Sequence, residues 1–132
     1  GNGTAIAASS GGVVFRMFLQ VPASKIPQQM TTTVTSPATL TCSSGGCGSA
    51  TIPFSDISWV VTPTPSGTYA ALDLQNGQFI SGGGTQTLLS FSLINAAGTV
   101  EVLSTMNFFY ANTSAYPAGT YAGTVTYTAT AP

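Results

Sequence analysis

The stretch Thr120-Tyr121-Ala122-Gly123-Thr124-Val125-Thr126-Tyr127-Thr128-Ala129-Thr130-Ala131 decides the fold. Tyr121, Val125, Tyr127 and Ala129 fall on one face, and Thr124, Thr126, Thr128 and Thr130 on the other. Successive side chains of a strand point to opposite sides, so this alternation predicts a strand covered on one face. The same period runs through the rest of the chain. In Val13 to Val21 the inner set is Val13, Phe15, Met17, Leu19 and Val21; Arg16 and Gln20 point the other way. Thr31 to Cys42 is Thr-rich and β-branched, and Pro37 implies an edge position or a break in it.

Further along, Ile57, Trp59 and Val61 form the inner face of a strand from Ile52 to Val61. Tyr69 to Gln75 and Gln78 to Ser81 flank Asn76-Gly77, a dipeptide that predicts a two-residue hairpin because both central residues take positive φ there. Leu89, Phe91 and Leu93 share a face in Thr87 to Asn95. Val100, Val102, Met106, Phe108 and Tyr110 share one in Thr99 to Tyr110. No segment carries a capped 3.6-residue apolar period, and there is no internal repeat. Roughly seven short strands separated by turn signals predict an all-β, immunoglobulin-like β-sandwich over residues 13–132.

Composition narrows the function classes. The chain has 132 residues, the span of one domain, and only 4% are charged against roughly 25% in an ordinary soluble domain. The charges are Arg16, Lys25, Asp56, Asp73 and Glu101, and there is no histidine. Two cations cannot form a phosphate-neutralising patch, so nucleic acid is excluded as a partner. A surface of Thr, Ser, Gly and Ala with little net charge favours association. No apolar run is long enough for a membrane-spanning helix. The start Gly1-Asn2-Gly3-Thr4 is that expected of a processed, exported product.

Catalysis finds little to work with. Without histidine there is no Ser-His-Asp or Cys-His site. Asp56, Asp73 and Glu101 fall on different predicted strands, which argues against a paired-acid or hard-cation site. No enzyme activity, cofactor or metal is expected. Cys42 and Cys47 enclose Ser-Ser-Gly-Gly, and no other Cys or His exists to complete a zinc site, so a local disulfide formed in an oxidising compartment is expected. Trp59, Tyr69, Tyr110, Tyr116, Tyr121 and Tyr127 lie mostly in the apolar register of their strands, as core residues do, although a carbohydrate-stacking face is the competing reading. Asn2-Gly3-Thr4 and Asn112-Thr113-Ser114 match the N-glycosylation pattern, making Asn2 and Asn112 candidate acceptors.

Residues 1–12 form an extension of a different kind. It is uncharged and small-residue rich, and it ends in Gly11-Gly12 before a strong strand. As a strand it places Asn2, Thr4, Ile6 and Ala8 on one face, with Ile6 its one large apolar side chain. Such a segment suits addition to the sheet of a neighbour, with Thr4, Ile6 and Ala8 as contacts and Gly11-Gly12 as hinge; a terminus that is disordered or folds back on its own domain is the alternative.

The segment Tyr116-Pro117-Ala118-Gly119-Thr120-Tyr121-Ala122-Gly123-Thr124-Val125-Thr126-Tyr127-Thr128 resembles the end of many bacterial fimbrial subunits, a Pro-x-Gly-x-Tyr turn followed by a Thr/Val strand. With the arm, it makes the chain similar to pilin-type sandwiches assembled by donor-strand exchange, and archaeal surface threads built by strand donation fit nearly as well. The resemblance implies an extracellular homopolymer of head-to-tail subunits serving adhesion or biofilm formation. It also implies an assembly chaperone and an outer-membrane usher as candidate partners. The alternative is a secreted monomeric β-sandwich that binds carbohydrate or a surface partner.

Overall fold

The computed structural model describes residues 2–9, 11–21, 28–63, 74–93 and 98–130. They are all-β, with antiparallel sheets and no α-helix; one 3-10 turn spans Phe54–Asp56. The strands are β1 (Ile6–Ala7), β2 (Val13–Val21), β3 (Gln28–Ser36), β4 (Thr39–Gly45), β5 (Thr51–Pro53), β6 (Ile57–Pro63), β7 (Gly77–Gln78), β8 (Gly84–Leu93), β9 (Gly98–Tyr110), β10 (Gly119–Ala122) and β11 (Thr126–Thr130).

The first sheet is built on β9. One side of β9 pairs with β6, which pairs in turn with β7. The other side takes β2 along Met106 to Gly98 and β1 along Tyr110 and Phe109. The second sheet runs β11-β3-β8 and the third β10-β4-β5. These two are joined through the backbone: β3 leads into β4 across Pro37-Ala38, and β10 into β11 across Gly123-Thr124-Val125. The break expected at Pro37 is therefore present, and it splits the Thr31–Cys42 run in two. Eleven strand segments are described where roughly seven strands were expected.

One apolar cluster is shared by all three sheets. Trp59 and Met106 come from the first, Met30, Val34, Leu88 and Leu89 from the second, and Leu40 packs from the third. Phe54, Leu74 and Phe79 fill the space between them. The predicted inward residues Trp59, Leu89 and Met106 are buried, while Phe15, Ile57, Val61, Phe108, Val125 and Tyr127 pack against the cluster part-buried. The side chains of Met17, Leu19, Val21, Phe91, Leu93, Val100 and Val102 lie outside the described residues, as do Lys25, Tyr69 and Asp73 and the side chain of Glu101.

Three expectations need correction. Asn76-Gly77 is not a hairpin turn, since neither residue has a positive φ. Gly77 instead lies in β7 over the Trp59 ring, where an added Cβ would come within 2.6 Å of Cζ2. The Trp59 indole donates to Gln75 O at 2.9 Å, and Asn76 Oδ1 accepts from Val61 N at 2.7 Å. The dipeptide thus covers the edge of β6 rather than reversing the chain. Second, Leu88 is buried beside Leu89, against strict alternation. Thr32 faces Leu89 and Thr33 faces Thr87, so Leu88 is the extra residue of a β-bulge. Third, Ala129 is exposed although it belongs to the predicted inner set; among the described residues its strand, β11, pairs only with β3.

Polar groups enter the core as hydroxyls. Thr32, Ser36 and Ser104 are buried, and Ser104 lies on the same face of β9 as Met106 and Phe108. Its Oγ is buried with no hydrogen-bond partner among the described residues. Leaving a hydroxyl dry and unpaired costs about 1–3 kcal/mol, whereas Ala keeps nearly the same volume. Ser104→Ala is therefore expected to raise stability by roughly 1 kcal/mol, read as a higher urea midpoint at unchanged slope. A lower midpoint would mean that this hydroxyl has a partner.

Candidate assembly groove and N-terminal arm

Three strands leave an edge open. Among the described residues β2 pairs only with β9, β10 only with β4 and β11 only with β3, so each leaves one edge unpaired. β2 and β11 belong to different sheets and approach each other through the Phe15 and Tyr127 rings, 6.1 Å between centroids. Beside that pair opens an apolar hollow of about 300 Å³, walled by Val13 on one side and by Gly123, Val125 and Tyr127 on the other. Its floor is core: Phe54, Ile57, Phe79 and Phe108. Val13, on the predicted inner face of β2, is 48% exposed because it faces this opening.

Local sequence explains the opening. Gly123 interrupts the alternation between β10 and β11, and an added Cβ there would lie 2.6 Å from Phe54 Cε2 and 2.9 Å from Leu40 Cδ2. The backbone therefore runs close over Phe54 and contributes no side chain of its own. Neither β10 nor β11 carries a lysine or proline, the usual protection of an exposed edge.

The arm lies along β9 in cis. Ile6 pairs with Tyr110 and Ala7 with Phe109, and Ala8 N donates to Phe108 O at 2.9 Å. Asn112 closes the far end. Gly3 N donates to Asn112 O at 2.9 Å, and Asn112 Nδ2 donates to Asn2 Oδ1 at 2.9 Å and to Thr4 O at 3.2 Å. Asn2 Oδ1 also accepts from Thr4 N at 2.9 Å. Asn112 has φ 56° and is the one described non-glycine residue at positive φ, a conformation Asn tolerates better than most side chains. The two candidate glycosylation asparagines thus bind each other.

Burial of the arm is slight. Ile6 is 52% exposed, and with Ala7, Ile57, Phe108 and Tyr110 it lines a shallow hollow of about 260 Å³. The predicted contacts Thr4 and Ala8 are exposed. Gly11 sits at φ 80°, where glycine is favoured, and Gly12 presses on Thr105 and Asn107 so closely that a Cβ would collide with both. The Gly-Gly pair therefore marks the bend between β1 and β2.

Cys42 and Cys47 form the expected disulfide, with Cα atoms 5.7 Å apart. Cys47 is buried against Gly119, where no Cβ fits. Closing so short a loop contributes about 2 kcal/mol by the chain-entropy estimate. Reduction is expected to lower stability by roughly that amount while leaving the core folded. Complete unfolding on reduction, followed by Trp59 emission, would show that the loop matters far more than this.

Asp56 ends the 3-10 turn Phe54–Asp56. Its backbone O accepts from Ala111 N at 2.9 Å, and a carboxylate oxygen accepts from the Tyr116 hydroxyl at 3.4 Å. Tyr110, Tyr116 and Tyr121 line a hollow of about 320 Å³. The Tyr116 and Tyr121 rings meet edge to face at 6.5 Å, and Tyr121 OH donates to Pro117 O at 2.7 Å. The Tyr110 pKa is raised by desolvation first, then by Tyr116, Asp56 and Tyr121. Among the described residues no three His, Cys, Asp or Glu cluster as metal ligands, and no helix is long and apolar enough to cross a membrane.

No protein-family model, curated protein or solved structure matches the chain.

Proposed function

We propose that the chain is the structural subunit of an extracellular filament, an immunoglobulin-like sandwich completed by the N-terminal arm of a neighbouring copy. The single observation that carries this reading is the apolar hollow between the unpaired edges of β2 and β11. An edge strand presents unsatisfied N–H and C=O groups, and a core floor left open presents apolar surface; an added strand with one apolar side chain satisfies both. Thr4, Ile6 and Ala8 supply that face, and Gly11-Gly12 supplies the joint. The contact is heterologous and does not close on itself, so it propagates head to tail. A chaperone and usher would serve to hold the groove before a neighbour fills it. Adhesion or biofilm formation follows as the role of such a filament.

The test is a denaturing gel of concentrated protein, unboiled and boiled. Strand-donated polymers are expected as a ladder that collapses on boiling to one band near 13.3 kDa. A monomer band in both lanes rejects the reading.

A second reading has its own observation. The hollow of Tyr110, Tyr116 and Tyr121 beside Asp56 offers aromatic faces and a carboxylate acceptor, as a monomeric carbohydrate-binding module requires. Binding of neutral oligosaccharides that is lost in Tyr116→Ala, from a protein that stays monomeric, would favour it.

A further inference from the structure

An arm seated on its own β9 cannot at the same time be donated. The cis seat is small: a two-residue ladder, one flanking bond at each end, and an Ile6 left half exposed. What distinguishes it from a frayed terminus is the cluster at its far end. Asn112 contributes its carbonyl to Gly3 and both amide hydrogens of its side chain to the arm, one to Asn2 and one to Thr4. It does so from a left-handed backbone conformation that aims these groups back along β9. Three of the bonds that hold residues 2–4 therefore converge on one residue, and the other end is tied by Ala8 and the bend at Gly11.

We infer that Asn112 is the clasp of a self-cap: it holds the arm on the edge of β9, out of reach of a neighbouring copy, and opening the clasp sets the rate of strand donation. The second half rests on the filament reading; the first half does not. The contacts are exposed to water, so each side-chain bond adds only modestly to the closed state, and the cap is closed without being locked. That is the range in which a resting arm is protected yet can still leave. The clasp also uses both hydrogens of the acceptor nitrogen of Asn112-Thr113-Ser114, so a sugar attached there would leave one hydrogen and break one of the two side-chain bonds to the arm.

Asn112→Gly is the informative variant. Glycine accepts φ 56° without strain, so the turn is kept while the side-chain bonds are lost. Ser114→Ala removes the acceptor pattern and leaves the clasp. Amide exchange is read residue by residue by NMR on dilute, monomeric full-length protein. In the wild type and in Ser114→Ala, the amides of Gly3 and Ala8 are expected to be protected. In Asn112→Gly their exchange accelerates about tenfold or more, while amides of β6 and β9 keep their rates, and filament formation at high concentration starts sooner. Unchanged protection of Gly3 and Ala8 in Asn112→Gly overturns the clasp. Lost protection with filaments that start no sooner overturns the rate-setting role. Lost protection with no filament from either protein supports the clasp and rejects the filament reading instead.

Discussion

If the arm is donated to a neighbouring copy, as proposed, Ile6→Asp is expected to leave the monomer folded and to weaken that contact by roughly 4 kcal/mol or more, about a thousandfold. The two effects separate because Ile6 has different surroundings in the two states. In cis it is 52% exposed, so a carboxylate there meets water, and monomer stability moves by less than about 1 kcal/mol. Inserted between β2 and β11 it would rest on Ile57, Phe79 and Phe108, the apolar floor of the groove. Losing a buried isoleucine removes about 1.5–3 kcal/mol, and desolvating a carboxylate against apolar side chains adds several more. None of the described residues that line the groove is charged. Ile6→Val, which keeps most of the apolar area, is expected to assemble nearly as the wild type does. The measurement is filament length and thermal resistance by electron microscopy and unboiled gels, alongside a urea curve of the dilute monomer. Filaments of ordinary length and heat resistance from Ile6→Asp would sink the donor role of the arm.

The same residues show how far sequence reading reaches. Alternation in residues 120–131 correctly predicts Tyr127 and Val125 against the core, because period two follows from strand geometry alone. The cysteine pair is legible for an equally local reason, since a four-residue loop leaves few other partners. Alternation fails at Leu88, where a bulge adds a residue, and at Ala129, which is exposed on the edge strand β11. Asn76-Gly77 carries a strong local turn signal, yet the Trp59 ring claims the glycine for close packing. The groove floor was only partly visible: Ile57 and Phe108 follow the strand period, whereas Phe54 sits in a 3-10 turn and Phe79 just past a two-residue strand. Asn112 carried a signal of another kind, the glycosylation pattern. Its grip on the arm depends on where β9 ends relative to β1, which is a tertiary fact.

Phe79→Ala is expected to be the most damaging single truncation. Phe79 is 3% exposed and stands among three other rings: Phe54 at 4.9 Å, edge to face, Trp59 at 4.9 Å and Phe108 at 6.3 Å, stacked. Its backbone is held to β6 through Ile57 O at 3.1 Å, so the site cannot collapse easily around a smaller side chain. A loss of about 3–5 kcal/mol follows from the removed area and the cavity left behind, a large share of the roughly 5–15 kcal/mol that stabilises a domain. The expected fall in Tm is roughly 10–20 °C. Phe79 also lines the groove, whereas Leu88 is buried at 5% and does not. Leu88→Ala therefore serves as the comparison, being destabilised by about 2–5 kcal/mol through the core alone. If the groove receives a donated strand, filaments of Phe79→Ala dissociate faster than those of Leu88→Ala even at temperatures chosen to match their monomer stabilities. Equal dissociation at matched stability would place the contact between subunits away from this hollow, and the unpaired edges of β2 and β11 would then need another occupant.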